Sequence, residues 1–437
     1  MPFHNAELFP LSANINIAGN LEIGGCDTVS MAQKFGTPLY VYDESTIRVM
    51  AKTYLHEFSS RYPDTTVAYA SKAFLNKEMS RIADEEGLSL DVVSGGEIAV
   101  AMSTGFPAER MYFHGNNKTL QELSEAINVG IGTIVVDGFQ ELDLLNEIAK
   151  GKGMTQGIML RLSPSVDAHT HGHTTTGILD VKFGFSIESG ESTVAIRQAL
   201  NSSNLDLKGI HFHLGSPIFE LEPYSEAIDT VLEYLVQFKD EGLNLREFSP
   251  GGGFAIGYVR NELPPEISQY AEIITSMLKH KCRDLGYSEP KLIIEPGRSI
   301  VGRAGVALYT VGVIKEIPTV RTYVSLDGGM GDNIRPALYG SEYEAVAANK
   351  MSASGKEKVV TLAGKYCESG DLLVKNVPLP VLESGDIVAI PSSGAYCLAM
   401  SSNYNMNPRP AVVMVENGKS RLIRRRETYE DLMALDL

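Results

Sequence analysis

Cysteine is scarce. Cys26, Cys282, Cys367 and Cys397 are the only four in 437 residues, and no two of them form a Cys-x-x-Cys pair. That spacing excludes a disulfide scaffold and a zinc ribbon, and predicts a reducing, cytoplasmic setting. Positive charge is in deficit, with 38 Lys and Arg against 54 Asp and Glu and a net charge of −16. The chain therefore lacks the broad basic face that a general nucleic-acid binder needs. A local pocket on a negative protein can still be positive and hold a small anion. Long apolar runs are missing as well: none approaches the ~18 residues that cross a bilayer, so no membrane partner is expected. The opening MPFHNAELFPLS has neither the basic stretch nor the apolar core of a signal peptide. What is present is apolar material enough for packed cores, 43% of the residues against 21% charged. The length suits about two or three domains.

From about residue 66 short apolar or β-branched runs alternate with amphipathic helical runs. The predicted strands are 66–72, 88–94, 110–115, 133–137, 157–162, 208–216, 246–254 and 291–298. Strands that alternate with helices pair in parallel through right-handed crossovers. Eight such units predict an α/β fold with a (β/α)8 barrel of the TIM type. A doubly wound open sheet is the weaker reading, because no G-x-G-x-x-G follows the first strand. Beyond residue 302 the chain turns β-rich, with Gly, Asn and Pro between its runs. The expected division is a barrel over 40–302, and an all-β C-terminal domain over 303–437 that also takes the strand-like N-terminal residues 1–39.

In such a barrel, chemistry sits at the C-terminal ends of the strands. The unusual polar residues and glycines of this sequence fall there: Lys72, Asp91 and Glu97, then His213, Gly215 and Ser216, then Gly251, Gly252 and Gly253, then Glu295, Gly297 and Arg298. Lys72 after an apolar strand is either a lysine snorkelling at the rim or a desolvated amine suited to a Schiff base. The SPGGGF run is either a flexible turn or a cradle of bare N–H groups for a phosphate, and barrel phosphate sites recur after strands seven and eight. Glu295 reads either as half of an ion pair with Arg298 or another basic residue, or as the partner of a protonated pyridine nitrogen. His211 and His213 sit at alternating positions, so they suit a metal pair or a flat imidazole against a flat ring; no third ligand is close in sequence. HTHGH at 169–173 lies in a Gly/Thr-rich stretch and is read as a solvated loop ahead of a metal site. No metal is expected.

An imine lysine, a phosphate cradle, an acid for a pyridine nitrogen and a flat stacking residue together describe a pyridoxal 5'-phosphate site. YASKAF, HFHLGS, GGGF and EPGRSIV resemble the barrel motifs of the fold-type III decarboxylases, which join an alanine-racemase-like barrel to a β domain. DGGMGDNIRPALYG, YCESGD and SGAYCLAMSSNYN resemble the diaminopimelate decarboxylases among them. The resemblance runs from about residue 35 to 425. It implies decarboxylation of meso-2,6-diaminopimelate to L-lysine and CO2, the last step of bacterial lysine synthesis. Carried over by position, it implies that Lys72 bonds the cofactor and His213 stacks on its ring. Ser216, Gly251, Gly252 and Gly253 hold the phosphate, with the backbone from Glu295 through Gly297 to Arg298. Glu295 keeps the pyridine nitrogen protonated. Arg298, Arg335 and Tyr339 bind substrate carboxylate, Glu368 takes the distal ammonium, and Tyr396 touches cofactor and substrate. Cys367 donates a proton. In the family the Cys-Glu pair reaches across a dimer interface, so the resemblance also implies a homodimer with shared sites. One departure is Pro217, where the family usually has Gln; Pro removes one backbone N–H near the phosphate.

Other readings make different demands. An ornithine, arginine or lysine decarboxylase of the same fold would want an acid, not arginines, at the far end of its substrate. A racemase would want a catalytic Tyr from the β domain. A regulator that had lost catalysis would lack Lys72 or Cys367, and both are present.

Overall fold

The computed structural model describes residue 3 and residues 5–167, 182–353 and 355–437. The HTHGH stretch lies outside the described residues. Two compact units are formed. One comprises Ala51–Ala255 and Pro265–Gly297; the other comprises Met1–Met50, Ile256–Pro264 and Arg298–Leu437.

In the first unit all eight expected strands are present and parallel. They are Thr65–Ala70, Ser89–Val92, Met111–Phe113, Thr133–Val136, Gln156–Ser163, Leu205–His211, Glu247–Gly251 and Lys291–Ile294. Strand eight pairs with strand one, and strand four pairs with strand five, so the sheet closes on itself as a barrel. Ala68, Tyr112, Val135, Met159 and Ile293, from five different strands, pack as one buried layer in this unit. That layer is the packed core expected of a barrel interior, which is filled rather than hollow. The helices start and stop where local chemistry dictates. Leu120–Val129, for example, begins at a capping box between Thr119 and Glu122 and ends at Gly130, whose φ of 79° suits glycine.

The second unit is built on a mixed sheet around the 13-residue strand Gly305–Ile317. That strand pairs antiparallel with Leu39–Asp43, Arg321–Leu326 and Ile387–Ile390. Leu39–Asp43 also pairs in parallel with Ala411–Glu416, so this strand belongs to the second unit although four of its five residues fall within the 40–302 expected of the barrel. A buried cluster including Phe9, Ile23, Val41, Leu308 and Val413 forms its core. Residues Ile256–Pro264, which lie between barrel strand seven and the helix Ile267–Leu285, belong to this unit and not to the barrel. Among the described residues no helix is long and apolar enough to cross a membrane.

Candidate active site

Lys72 stands in the short 3-10 turn Ser71–Ala73, immediately after barrel strand one. Its amine does not snorkel to water alone: Nζ donates to Oδ2 of Asp91, which is fully buried on strand two. Glu97, in the first turn of the next helix, accepts from the Val93 N–H at 2.7 Å. Burial pushes its carboxyl up to about 7; Asp91 adds to the rise, and the Val93 bond and Lys72 oppose it. A carboxyl with a raised folded-state pKa stabilises the fold most below its unfolded pKa. That contribution is lost as pH climbs from about 4.5 to about 7. Glu97→Gln keeps the acceptor and removes the titration. The cofactor-free variant is expected to gain up to about 3 kcal/mol over the parent above pH 7 and nothing at pH 4. Urea unfolding across that range checks this, and parallel curves for the two proteins would refute it.

Glu295 follows strand eight and is buried. Its Oε1 accepts from Ser249 Oγ at 2.9 Å, and its Oε2 lies 3.1 Å from His211 Nε2. His114, at the end of strand three, brings Nε2 to 3.5 Å from Glu295 Oε1 and 3.8 Å from Asp91 Oδ1. Burial alone would raise the Glu295 pKa, but His211 and His114 outweigh it and hold the carboxyl at about 2. Burial drives the His114 imidazole well below its ordinary range, with Glu295 opposing. A neutral His114 contributes little charge, so the direct bonds from Ser249 and His211 are the part that persists at neutral pH. Two imidazoles, those of His211 and His114, thus stand beside Glu295 in the barrel. Lys72, Asp91, His114 and Glu295 form one continuous polar chain.

His114 also supplies the neighbour that sequence spacing does not reveal. Ligating atoms of His114, His211 and Glu295 all lie within 4.8 Å of one another. His213 serves a different partner: its Nδ1 accepts from the Gly252 N–H at 3.2 Å. The glycine run is a close-packed backbone, not a loose turn. A Cβ at Gly252 would stand 2.1 Å from the Glu295 carbonyl oxygen, and one at Gly253, with φ of 101°, 2.5 Å from that of Gly215. Tyr224 pins the run by donating to the Gly252 carbonyl at 2.7 Å. A Cβ at Gly297 would meet that of Ala70 at 2.8 Å, so glycine lets strand one approach the turn after strand eight. Ser216 is half-buried just beyond strand six. Arg161, on strand five, is buried 3.7 Å from Asp137.

In the second unit the structure gathers Arg298, Arg335 and Tyr396. Arg298 opens the short helix Arg298–Val301, and its guanidinium lies 4.8 Å from the Tyr396 ring centroid. Tyr396 has φ of 59°, a left-handed conformation unusual for a bulky residue. Arg335 is buried at the start of the helix Arg335–Tyr339 and donates to the Tyr343 hydroxyl. Burial opposes its charge, yet Tyr258 and Tyr343 raise its pKa above the ordinary arginine value. Tyr339 ends the same helix and is half-buried. Cys367 is exposed, its N–H donating to Asn405 Oδ1 at 3.1 Å. Glu368 beside it accepts from the Tyr404 hydroxyl at 2.6 Å.

His114, Arg161, Ser249, Tyr258 and Tyr343 were not legible as site residues. For the first three a signal existed, a polar residue late in an apolar barrel strand. For the two tyrosines there was none.

Residues 46–302 match the family model described as pyridoxal-dependent decarboxylase, pyridoxal binding domain. Over 423 residues the chain is 48% identical to the diaminopimelate decarboxylase of Bacillus subtilis, covering 97% of this chain and 96% of that protein. It is 46% identical to that of Halalkalibacterium halodurans, over 98% of this chain and 97% of the other. Among solved structures it is similar to a diaminopimelate decarboxylase from M. jannaschii in complex with L-lysine. The TM-score is 0.92 at 36% identity, with 98% of each chain covered.

Proposed function

The chain belongs to the pyridoxal-dependent decarboxylases, and from that membership we propose that it removes CO2 from meso-2,6-diaminopimelate to leave L-lysine. Relatives that match along nearly the whole chain carry that activity in their names, which favours diaminopimelate over ornithine, arginine or lysine as substrate. The observation that carries the reading is Glu295: a buried carboxylate kept ionised and doubly hydrogen-bonded, on the same barrel as an amine that is paired with a buried acid.

The residues present fit pyridoxal 5'-phosphate. Among the described residues Asp91 Oδ1, His114 Nε2 and His211 Nδ1 are buried without a hydrogen-bond partner, as expected of a site shaped for a polar ligand. The bound cofactor supplies an electron sink, a protonated pyridine ring that accepts the electron pair left when CO2 departs. The protein supplies the rest. Lys72 would hold the cofactor's aldehyde end, and Asp91 accepts from its amine. Glu295 holds the proton on the ring nitrogen, and His211 and Ser249 hold Glu295. His213 would lie against the ring. Ser216 and Gly251–Gly253, with the backbone of Glu295, Gly297 and Arg298, grip the phosphate. Arg298 and Arg335, with Tyr339, take the carboxylate at the far end of the substrate, where a planar guanidinium offers a forked grip. Glu368 would take the ammonium beside that carboxylate, Tyr396 would border cofactor and substrate, and Cys367 would be the proton donor.

The reading includes a homodimer in which Cys367 and Glu368 of one copy complete the site of the other. The exposure of Cys367 supports it. Lys72→Ala and Cys367→Ala are each expected to be nearly inactive, yet co-refolded mixtures should regain up to about a quarter of wild-type turnover, because half of the mixed dimers' sites are intact. No recovery in mixtures shown by sedimentation to be dimeric would refute the sharing. The activity itself is tested by release of labelled CO2 from meso-diaminopimelate with and without added cofactor. A diamine formed from ornithine, with nothing from diaminopimelate, would overturn the substrate.

A further inference from the structure

The loop Ile256–Pro264 is tied firmly into the β unit. Arg260 donates from its backbone N–H and from Nε to Glu344 Oε1 at 2.9 and 3.0 Å. Ser392 donates to the Gly257 carbonyl at 2.8 Å. Tyr258 stands between these anchors and touches both arginines. Its hydroxyl accepts from Arg298 Nη1 at 2.6 Å. Its ring centroid lies 4.4 Å from the Arg335 guanidinium carbon. Its ring also meets that of Tyr343 edge to face, at 5.2 Å and 78°, and Tyr343 accepts from Arg335. One side chain therefore holds two guanidinium groups by two different forces, a hydrogen bond to one and a cation–π contact with the other.

Two like charges held close repel, and each arginine loses rotamer freedom when fixed. A single anchored phenol that binds both offsets these costs before any ligand arrives. A guanidinium presents its N–H donors as a planar fork, the geometry that suits a carboxylate. The geometry points to Tyr258 as the positioning residue that sets the spacing and orientation of Arg298 and Arg335, and so the preference for a ligand whose far end bears a carboxylate. This deepens the function proposed above and rests on it.

L-Lysine keeps the carboxylate that these arginines would hold, whereas cadaverine, the corresponding diamine, lacks it. The test uses the holoenzyme and two variants. Tyr258→Phe deletes the bond to Arg298 and keeps the ring beside Arg335; Tyr258→Leu deletes both. KM for meso-diaminopimelate is expected to rise about tenfold in the first and about 100-fold in the second, with kcat within about threefold of wild type. Inhibition by L-lysine should weaken in step, and inhibition by cadaverine, weak or strong, should not change. An unaltered KM in Tyr258→Phe would overturn the assignment. So would a fall in kcat at constant KM, or equal weakening toward lysine and cadaverine, which would mark a merely structural role. Tyr258→Phe carries the test alone if Tyr258→Leu does not fold. A wild type that releases no CO2 from diaminopimelate would count against the proposed function; a wild type that does, with variants indistinguishable from it, would count against Tyr258.

Discussion

Replacing Lys72 by alanine is expected to abolish turnover, by about 10⁴-fold or more, because no other amine stands at the end of strand one to hold the cofactor covalently. The variant changes two things at once. It removes the nucleophile, and it leaves Asp91, a fully buried acid, without the cation that its Oδ2 now accepts from. Lys72→Arg separates them. It restores a positive partner for Asp91 but cannot bond an aldehyde at neutral pH, since a guanidinium stays protonated. Both variants should therefore be inactive, with the arginine form the more stable of the two. Borohydride reduction of the wild-type holoenzyme should place the cofactor's mass on the peptide containing Lys72, and on neither variant. Turnover surviving in either variant, or the mass found on another peptide, would remove Lys72 from its role.

The second large effect is expected at Glu295. Glu295→Gln preserves shape and both neighbours, Ser249 and His211, but cannot carry charge. A carboxylate in contact with a pyridinium is worth roughly 4 kcal/mol at an effective dielectric near 20. Losing it should lower kcat by about 10³-fold while the cofactor still binds through Lys72 and the phosphate grip. The sign follows from the acid's position on the pH scale. Held at about 2, Glu295 is ionised throughout the working range and leaves the proton to the ring. Retained kcat in Glu295→Gln would show that the ring proton is held elsewhere. Outright loss of cofactor, measured by dialysis, would show that Glu295 is an anchor for binding and not a tuner of the ring.

The sequence made a good part of this visible, for definite reasons. Strand period and helix caps are written within a few residues of each other, so eight alternations could be counted and the barrel inferred. A barrel also has a rule about where its chemistry lies. That rule picked out Lys72, Gly251–Gly253 and Glu295 without any pairing information. The same rule covers His114 and Ser249, but each is a single polar residue closing an otherwise apolar run and so carries little signal. HFHLGS marked two histidines, but not that His211 turns to Glu295 while His213 turns to Gly252.

What the chain determined by itself was the alternation that makes a closed parallel barrel and the apolar strands of a second unit, both fixed by local periodicity, together with the polar residues and glycines written at the strand ends. What tertiary structure alone decided was partnership. The His211–Ser249 grip on Glu295 joins residues of strands six and seven to one just beyond strand eight, and Tyr258 reaches Arg298 across 40 positions. Residues 256–264, written between a barrel strand and a barrel helix, are claimed by the other unit. Such contacts carry no period, because they depend on how elements distant in sequence pack, and so no pattern along the chain could announce them.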